Sequence, residues 1–195
     1  MLRLAACPYT GGMEILWLIL VALLLGAIGI YNRLVKDRNL VAASWSDIDV
    51  QLKRRHELIP RLVECVRAYA DYERATLEAV TELRTQSMAT NDIAQKAELE
   101  EAMSTGLHQL IATVEDYPEL KADENFRELQ AALADTENKI QYARRFYNGA
   151  VRVLNTRVQS FPHLLLAGPL GFRPAQFFSV DEPAERLAPN LRLSD

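Results

Sequence analysis

The sequence is poor both in residues that break helices and in residues that do chemistry. Between Leu34 and Phe161 there are only two glycines, Gly106 and Gly149, and two prolines, Pro60 and Pro118. A sheet protein needs turn residues far more often, and apolar alternation at period two is also missing, so the segment reads as helix throughout. The two cysteines, Cys7 and Cys65, are too few and too far apart for a disulfide framework or a metal set, and Cys65 reads as a small apolar helix residue. His56, His108 and His163 each stand alone, none three or four residues from another His or a Cys, so the usual metal-ligand spacings are absent. No phosphate loop, nucleophile elbow or dinucleotide fingerprint occurs. Adjacent carboxylates such as Glu100 and Glu101 point apart on a helix and read as solvated faces. The net charge of −4, with both signs mixed along the chain, offers no basic face to a phosphate backbone, so no nucleic-acid partner is expected. The residues imply no catalytic group, no cofactor and no metal, and the expectation is a protein that is not an enzyme.

What the sequence does have is one long run without charge, lying within "MEILWLILVALLLGAIGIYNRLVK". Every residue from Ile15 to Ile30 is apolar or Gly, and no charge follows until Arg33. The stretch 15–32 makes a helix of roughly 27 Å at 1.5 Å per residue, close to the roughly 30 Å of a bilayer's hydrocarbon core. Trp17 and Tyr31 suit its two interfaces. Glu14 sits where a signal peptide would carry positive charge and no cleavage site follows, so the span is expected to be retained. The tetrad Leu4-Ala5-Ala6-Cys7 resembles a lipobox, but no apolar segment precedes it, and it reads as chance. Arg33, Lys36, Arg38, Lys53, Arg54 and Arg55 follow the span, against Arg3 alone before it. The positive-inside rule then gives a single-pass protein of the cytoplasmic membrane with its C-terminal domain in the cytoplasm. Met13 as initiator would strengthen this, leaving only two residues to cross. Ala22 and Gly26 have the small-xxx-small spacing that supports association between spans.

Beyond the span, apolar residues recur at alternating steps of three and four. The clearest seam runs through Phe126, Leu129, Leu133, Thr136, Ile140, Ala143, Tyr147, Ala150 and Leu154, with Asp123 available as N-cap and Pro162 past the end. An earlier helix opens with Asp92 and Gln95 at capping-box spacing and carries Met103, Leu107, Leu110, Ile111 and Val114 on one face. The first stretch keeps its seam through Val41, Trp45, Ile48, Leu52, Ile59, Leu62, Val66 and Tyr69. Pro60 interrupts it, because proline lacks a donor and disfavours helical geometry at Ile59. A break there gives pieces of similar length, so the expected fold is all-α: a transmembrane helix at 15–32 after a short segment 1–14, then an antiparallel up-and-down bundle over 33–161. Four helices are expected, or three with a kink at Pro60. Residues 162–195 hold most of the prolines and are expected to form an irregular tail, with Leu164 to Leu166, Phe172, Phe177 and Phe178 packing on the bundle.

Polar residues within the seams are the leads to function. Arg55 and Thr136 lie in the alternation, with Glu137, Arg144, Arg145, Asn148 and Asn155 alongside. A buried charge needs a partner, so one reading is an Arg and Glu network that fixes the bundle or binds an anionic group. The favoured reading is that Arg55 lays its stem over the core and keeps its head in water.

Three segments carry a resemblance: "RRHELIPRLVECVRAYADYE", "YPELKADENFRELQAALADTENKIQYARRFYNGAVRVLNTRVQSFP" and "GFRPAQFFSVDE". In order and spacing they resemble the bacterial LemA family, over nearly the whole chain from Ile15 onward. The resemblance implies a single-pass bacterial membrane protein with a soluble antiparallel helical domain and no established enzymatic activity, and it lends no active-site residues. The family's motif usually has Asn where Arg61 stands. A related protein is implicated in magnetosome membrane formation, a role that reaches this chain only by analogy. The expected function is a membrane-anchored interaction or scaffolding protein, partnered by the membrane and by itself or other membrane proteins. The alternative is a tethered sensor in which Arg55, Phe177 and neighbouring groups hold a small ligand or lipid headgroup.

Overall fold

A computed structural model describes residues 10–67 and 74–179. The N-terminal segment with Arg3 and Cys7, the seam residue Tyr69 and the tail beyond Ser179 lie outside the described residues. Helix α1 runs Thr10–Arg67, α2 Arg74–Ala89, α3 Ile93–Thr113, α4 Pro118–Ala122, α5 Glu124–Gln159 and α6 His163–Ala167, with a 3-10 turn at Val114–Asp116. No strand occurs among the described residues, and the fold is all-α.

The expected break at Pro60 is corrected: α1 continues through it to Arg67. A proline at position 60 cannot bond the carbonyl of His56, one helical turn earlier. That carbonyl instead accepts from Arg84 Nε at 2.7 Å, so a side chain of α2 replaces the missing backbone donor and the helix has no need to end. The four long helices are therefore α1, α2, α3 and α5, with the first boundary after Arg67.

The caps follow the sequence closely. Asp92 accepts from the Gln95 backbone N–H at 2.9 Å and Asp123 from that of Phe126 at 2.8 Å. The reciprocal half of the capping box is absent, because Gln95 Oε1 accepts from the Thr90 hydroxyl. Helix α6 and the turn after it end on Gly171, whose φ of 76° favours glycine. There the Phe172 N–H bonds Ala167 O and the Gly171 N–H bonds Gly168 O, a Schellman arrangement.

The described chain divides into two compact units. One comprises residues 10–43 and 150–175. In it the apolar part of α1 is exposed from Met13 to Leu25, while Leu34, Val151, Leu154, Ala167 and Phe172 are buried. Asp37 pairs with Arg157, and Asn155 exchanges two hydrogen bonds with the Ala175 backbone.

The other unit comprises residues 44–67, 74–149 and 176–179. Its apolar core joins Ile59, Leu62 and Val66 of α1 to Leu77, Val80, Met103, Leu107, Leu110, Phe126 and Leu133. Within it α1 and α5 run antiparallel, Trp45 meeting Tyr147 and Arg54 meeting Asp135. Helices α2 and α3 approach closely at Gly106, where an added Cβ would stand 2.9 Å from Val80 Cγ2.

Candidate functional site

Two of the expected polar positions, Arg55 and Glu137, meet in a cluster that also takes in His56, Ser87 and Glu100. Arg55 is 2% exposed, so the expectation that its head reaches water is corrected. Carboxylates from two other helices take its head. Arg55 Nη1 donates to Glu100 Oε2 at 3.1 Å, and its other terminal nitrogen pairs with Glu137. His56 Nε2 lies 2.7 Å from Glu100 Oε1, which also accepts from the Ser87 hydroxyl at 2.5 Å. An ionised carboxylate has no proton to give, so His56 Nε2 carries one and donates it. Glu137 further accepts from Ser104 at 3.3 Å and Gln141 at 2.8 Å.

The electrostatics follow from this geometry. Burial pushes the Glu100 carboxyl up, but the bonds from His56 and Ser87 and the nearby Arg55 charge outweigh it and hold the group below the usual carboxylate range. Burial pulls the Arg55 guanidinium below its usual range, against the opposing effect of Glu100. The Glu100 carboxylate thus takes three internal donors, from α1 and α2. The cluster is suited to fix which faces of α1, α2, α3 and α5 meet, a register role attested for buried ion pairs.

Glu100 is the residue that sequence reasoning missed. Placed on a solvated face with Glu101, it is 1% exposed, and its neighbour alone is on the surface. The signal was the spacing, since Glu100 falls between Ala97 and Met103 in the buried alternation of α3. Thr136, the other polar seam residue, is satisfied within its own helix by Ala132 O at 2.7 Å.

The remaining expected residues do not join this cluster. Arg144 pairs with Glu101 at 3.0 Å, and its guanidinium carbon lies 5.5 Å from the centre of the Phe178 ring. Asn148 clamps the tail, donating to Phe178 O at 3.1 Å and accepting its N–H at 2.9 Å. Phe178 is buried against Trp45, while Phe177 stays exposed. Leu164 and Leu165, expected to pack, are exposed as well. Ala22 and Gly26 lie exposed on the apolar part of α1. Cys65 is half-buried, and burial, with Asp123 beside it, pushes its thiol up and away from reactivity.

A second feature is a surface groove of about 540 Å³ between α1 and α5, lined by Asp47, Val50, Gln51, Lys139, Tyr142 and Phe146 among others. Val50, Tyr142 and Phe146 are 59%, 69% and 51% exposed, and the two rings stand one helical turn apart. The Gln51 side-chain oxygen is buried there without a partner.

The LemA family profile matches residues 44–192, a span that contains the whole polar cluster and the groove. The chain belongs to the LemA family. Among its relatives, magnetosome protein MamQ 2 of Paramagnetospirillum magneticum is 24% identical over 93% of this chain and 76% of its own length. Protein LemA of Metamycoplasma hominis is 25% identical over 80% of this chain and 71% of its own. Magnetosome protein MamQ of Magnetospirillum gryphiswaldense is 22% identical over 79% and 66%. Among the described residues one helix is long and apolar enough to cross a membrane, and with its family membership the chain is a membrane-associated protein of LemA type.

Proposed function

We propose that this LemA-family protein is a membrane-anchored scaffold without catalytic activity, whose copies associate through the groove between α1 and α5. Residues 15–32 hold it in the bacterial cytoplasmic membrane, and the basic flank of Arg33, Lys36 and Arg38 keeps the helical domain on the cytoplasmic side. The observation that carries the reading is the exposure of Tyr142 and Phe146 beside Val50, large apolar groups that a soluble surface ordinarily covers. Asp47 and Lys139 give the groove one charge of each sign, a pairing that a self-complementary two-fold contact can use. The buried cluster supports the same reading, because its charged groups are spent on one another. Disulfide trapping in native membranes tests it. With Cys7 and Cys65 replaced, Tyr142→Cys should yield a crosslinked dimer and Arg127→Cys, on an exposed polar position, should not. Equal yields at both positions, or none at either, would count against the scaffold.

A second reading, a tethered binding module for a small ligand or lipid headgroup, is favoured by a cleft of about 350 Å³ lined by Arg55, Ser104, His108, Gln130 and Glu137 among others. It requires a lipid or metabolite extract to raise the melting temperature of the purified protein.

A further inference from the structure

We propose that the hairpin of residues 160–171, between α5 and the tail, is a second membrane contact that lays Phe161, Leu164 and Leu165 into the lipid interface. The proposal rests on the reading of α1 as a membrane anchor and adds a contact that the anchor alone does not require.

Position carries the argument. Tyr31 closes the apolar run of α1 and so marks where a span meets the headgroups. The Phe172 ring packs edge-on against it, centroids 6.0 Å apart, and Arg38 covers Phe172 at 5.1 Å. Phe172 is tied to the hairpin by its N–H bond to Ala167 O at 2.9 Å. Leu164 and Leu165 precede Ala167 by one helical turn or less, at most about 5 Å along the helix axis. These side chains therefore lie on the short segment that the Tyr31–Phe172 contact ties to the end of the span, the level at which interfacial helices bury their apolar faces.

Exposure carries the rest. Phe161 is 79% exposed, Leu164 54% and Leu165 64%, in a hairpin whose inward residue, Ala167, is fully buried. The hairpin already has a packed side, so the outward leucines are not waiting for the fold to cover them. Arg33, Lys36, Arg38 and Arg173 are exposed nearby in sequence or space, the charge that anionic headgroups attract. A bilayer continuous with the span covers this patch without any further protein.

The test uses the full chain in liposomes of phosphatidylcholine and phosphatidylglycerol, with Cys7 and Cys65 replaced by Ser. A polarity-sensitive fluorophore is attached at Leu165→Cys, at Leu23→Cys in the span, or at Glu115→Cys on an exposed position of the other unit. Nitroxide-labelled lipid should quench the Leu165 and Leu23 probes at least three-fold more than the Glu115 probe. If Leu23 is quenched and Leu165 is not, the anchor stands and the second contact is overturned. A blue-shifted but unquenched Leu165 probe would overturn the lipid contact and assign the patch to a second copy of the chain instead. Failure of quenching at Leu23 would overturn the anchor and the hairpin contact together.

Discussion

Replacing Glu100 by Gln should destabilise the protein by about 3 kcal/mol, the lower end of the range for breaking a buried ion pair. The carboxylate is 1% exposed and takes donors from Arg55, His56 and Ser87. An amide of the same shape loses the charge opposite Arg55 and turns an N–H₂ towards groups that are themselves donors. The low end applies because Glu137 still holds the other side of the guanidinium. For a chain of this size the melting temperature falls roughly 2–4 °C per kcal/mol, hence about 6–12 °C. Far-UV circular dichroism of the full chain in detergent micelles at pH 7 reads this directly. The carboxyl's folded pKa lies below its unfolded one, so the unfolded state binds the extra proton. Its stabilisation is full above the unfolded value near 4.5 and is lost as pH falls through the folded value. Wild type should lose stability faster than Glu100→Gln across that acid window. Arg55→Met with His56→Leu, Ser87→Ala, Glu100→Leu and Glu137→Gln should recover most of the loss, since it removes the buried donors together with their acceptors and spares the desolvation of the ions. A Glu100→Gln change below 1 kcal/mol at pH 7 would refute the closed buried network.

Three further outcomes follow from other contacts. Arg84→Leu leaves the His56 carbonyl without its donor and should cost about 1 kcal/mol; in a Pro60→Ala background, where residue 60 regains an N–H, the same change should cost at least about 0.5 kcal/mol less, read by a urea double-mutant cycle. Asn148→Ala removes both bonds to Phe178 and should cost about 1–3 kcal/mol while speeding limited proteolysis of the tail. Gly106→Ala gains about 1 kcal/mol of helix propensity but sets a methyl 2.9 Å from Val80, whose branched side chain has little freedom to move. Overpacking of about 1–3 kcal/mol should win or cancel it, so thermal melting should show no stabilisation.

The helices and their buried faces were legible because the apolar spacing is regular: Ile48, Leu52, Leu62, Ile140 and Tyr147 are all buried where the alternation puts them. The boundary of α1 was not legible, because the donor that lets the helix pass Pro60 comes from Arg84, outside any local window. The polar cluster was half legible. Arg55 and Glu137 stood out, but burial of Glu100 needed its spacing weighed above its charge, and the role of Ser87 depends wholly on how α2 packs. Exposure of Tyr142 and Phe146 is a property of what fails to cover them, which periodicity does not report.

Assembly at the membrane can be read by counting copies of the chain. Mass measurement of the full chain extracted from its membrane in native-lipid discs should give two or more protein masses of 22.0 kDa per disc, and Phe146→Asp should reduce this to one with unchanged helicity. One copy per disc for the wild type at every expression level, or a variant indistinguishable from it, would contradict the account.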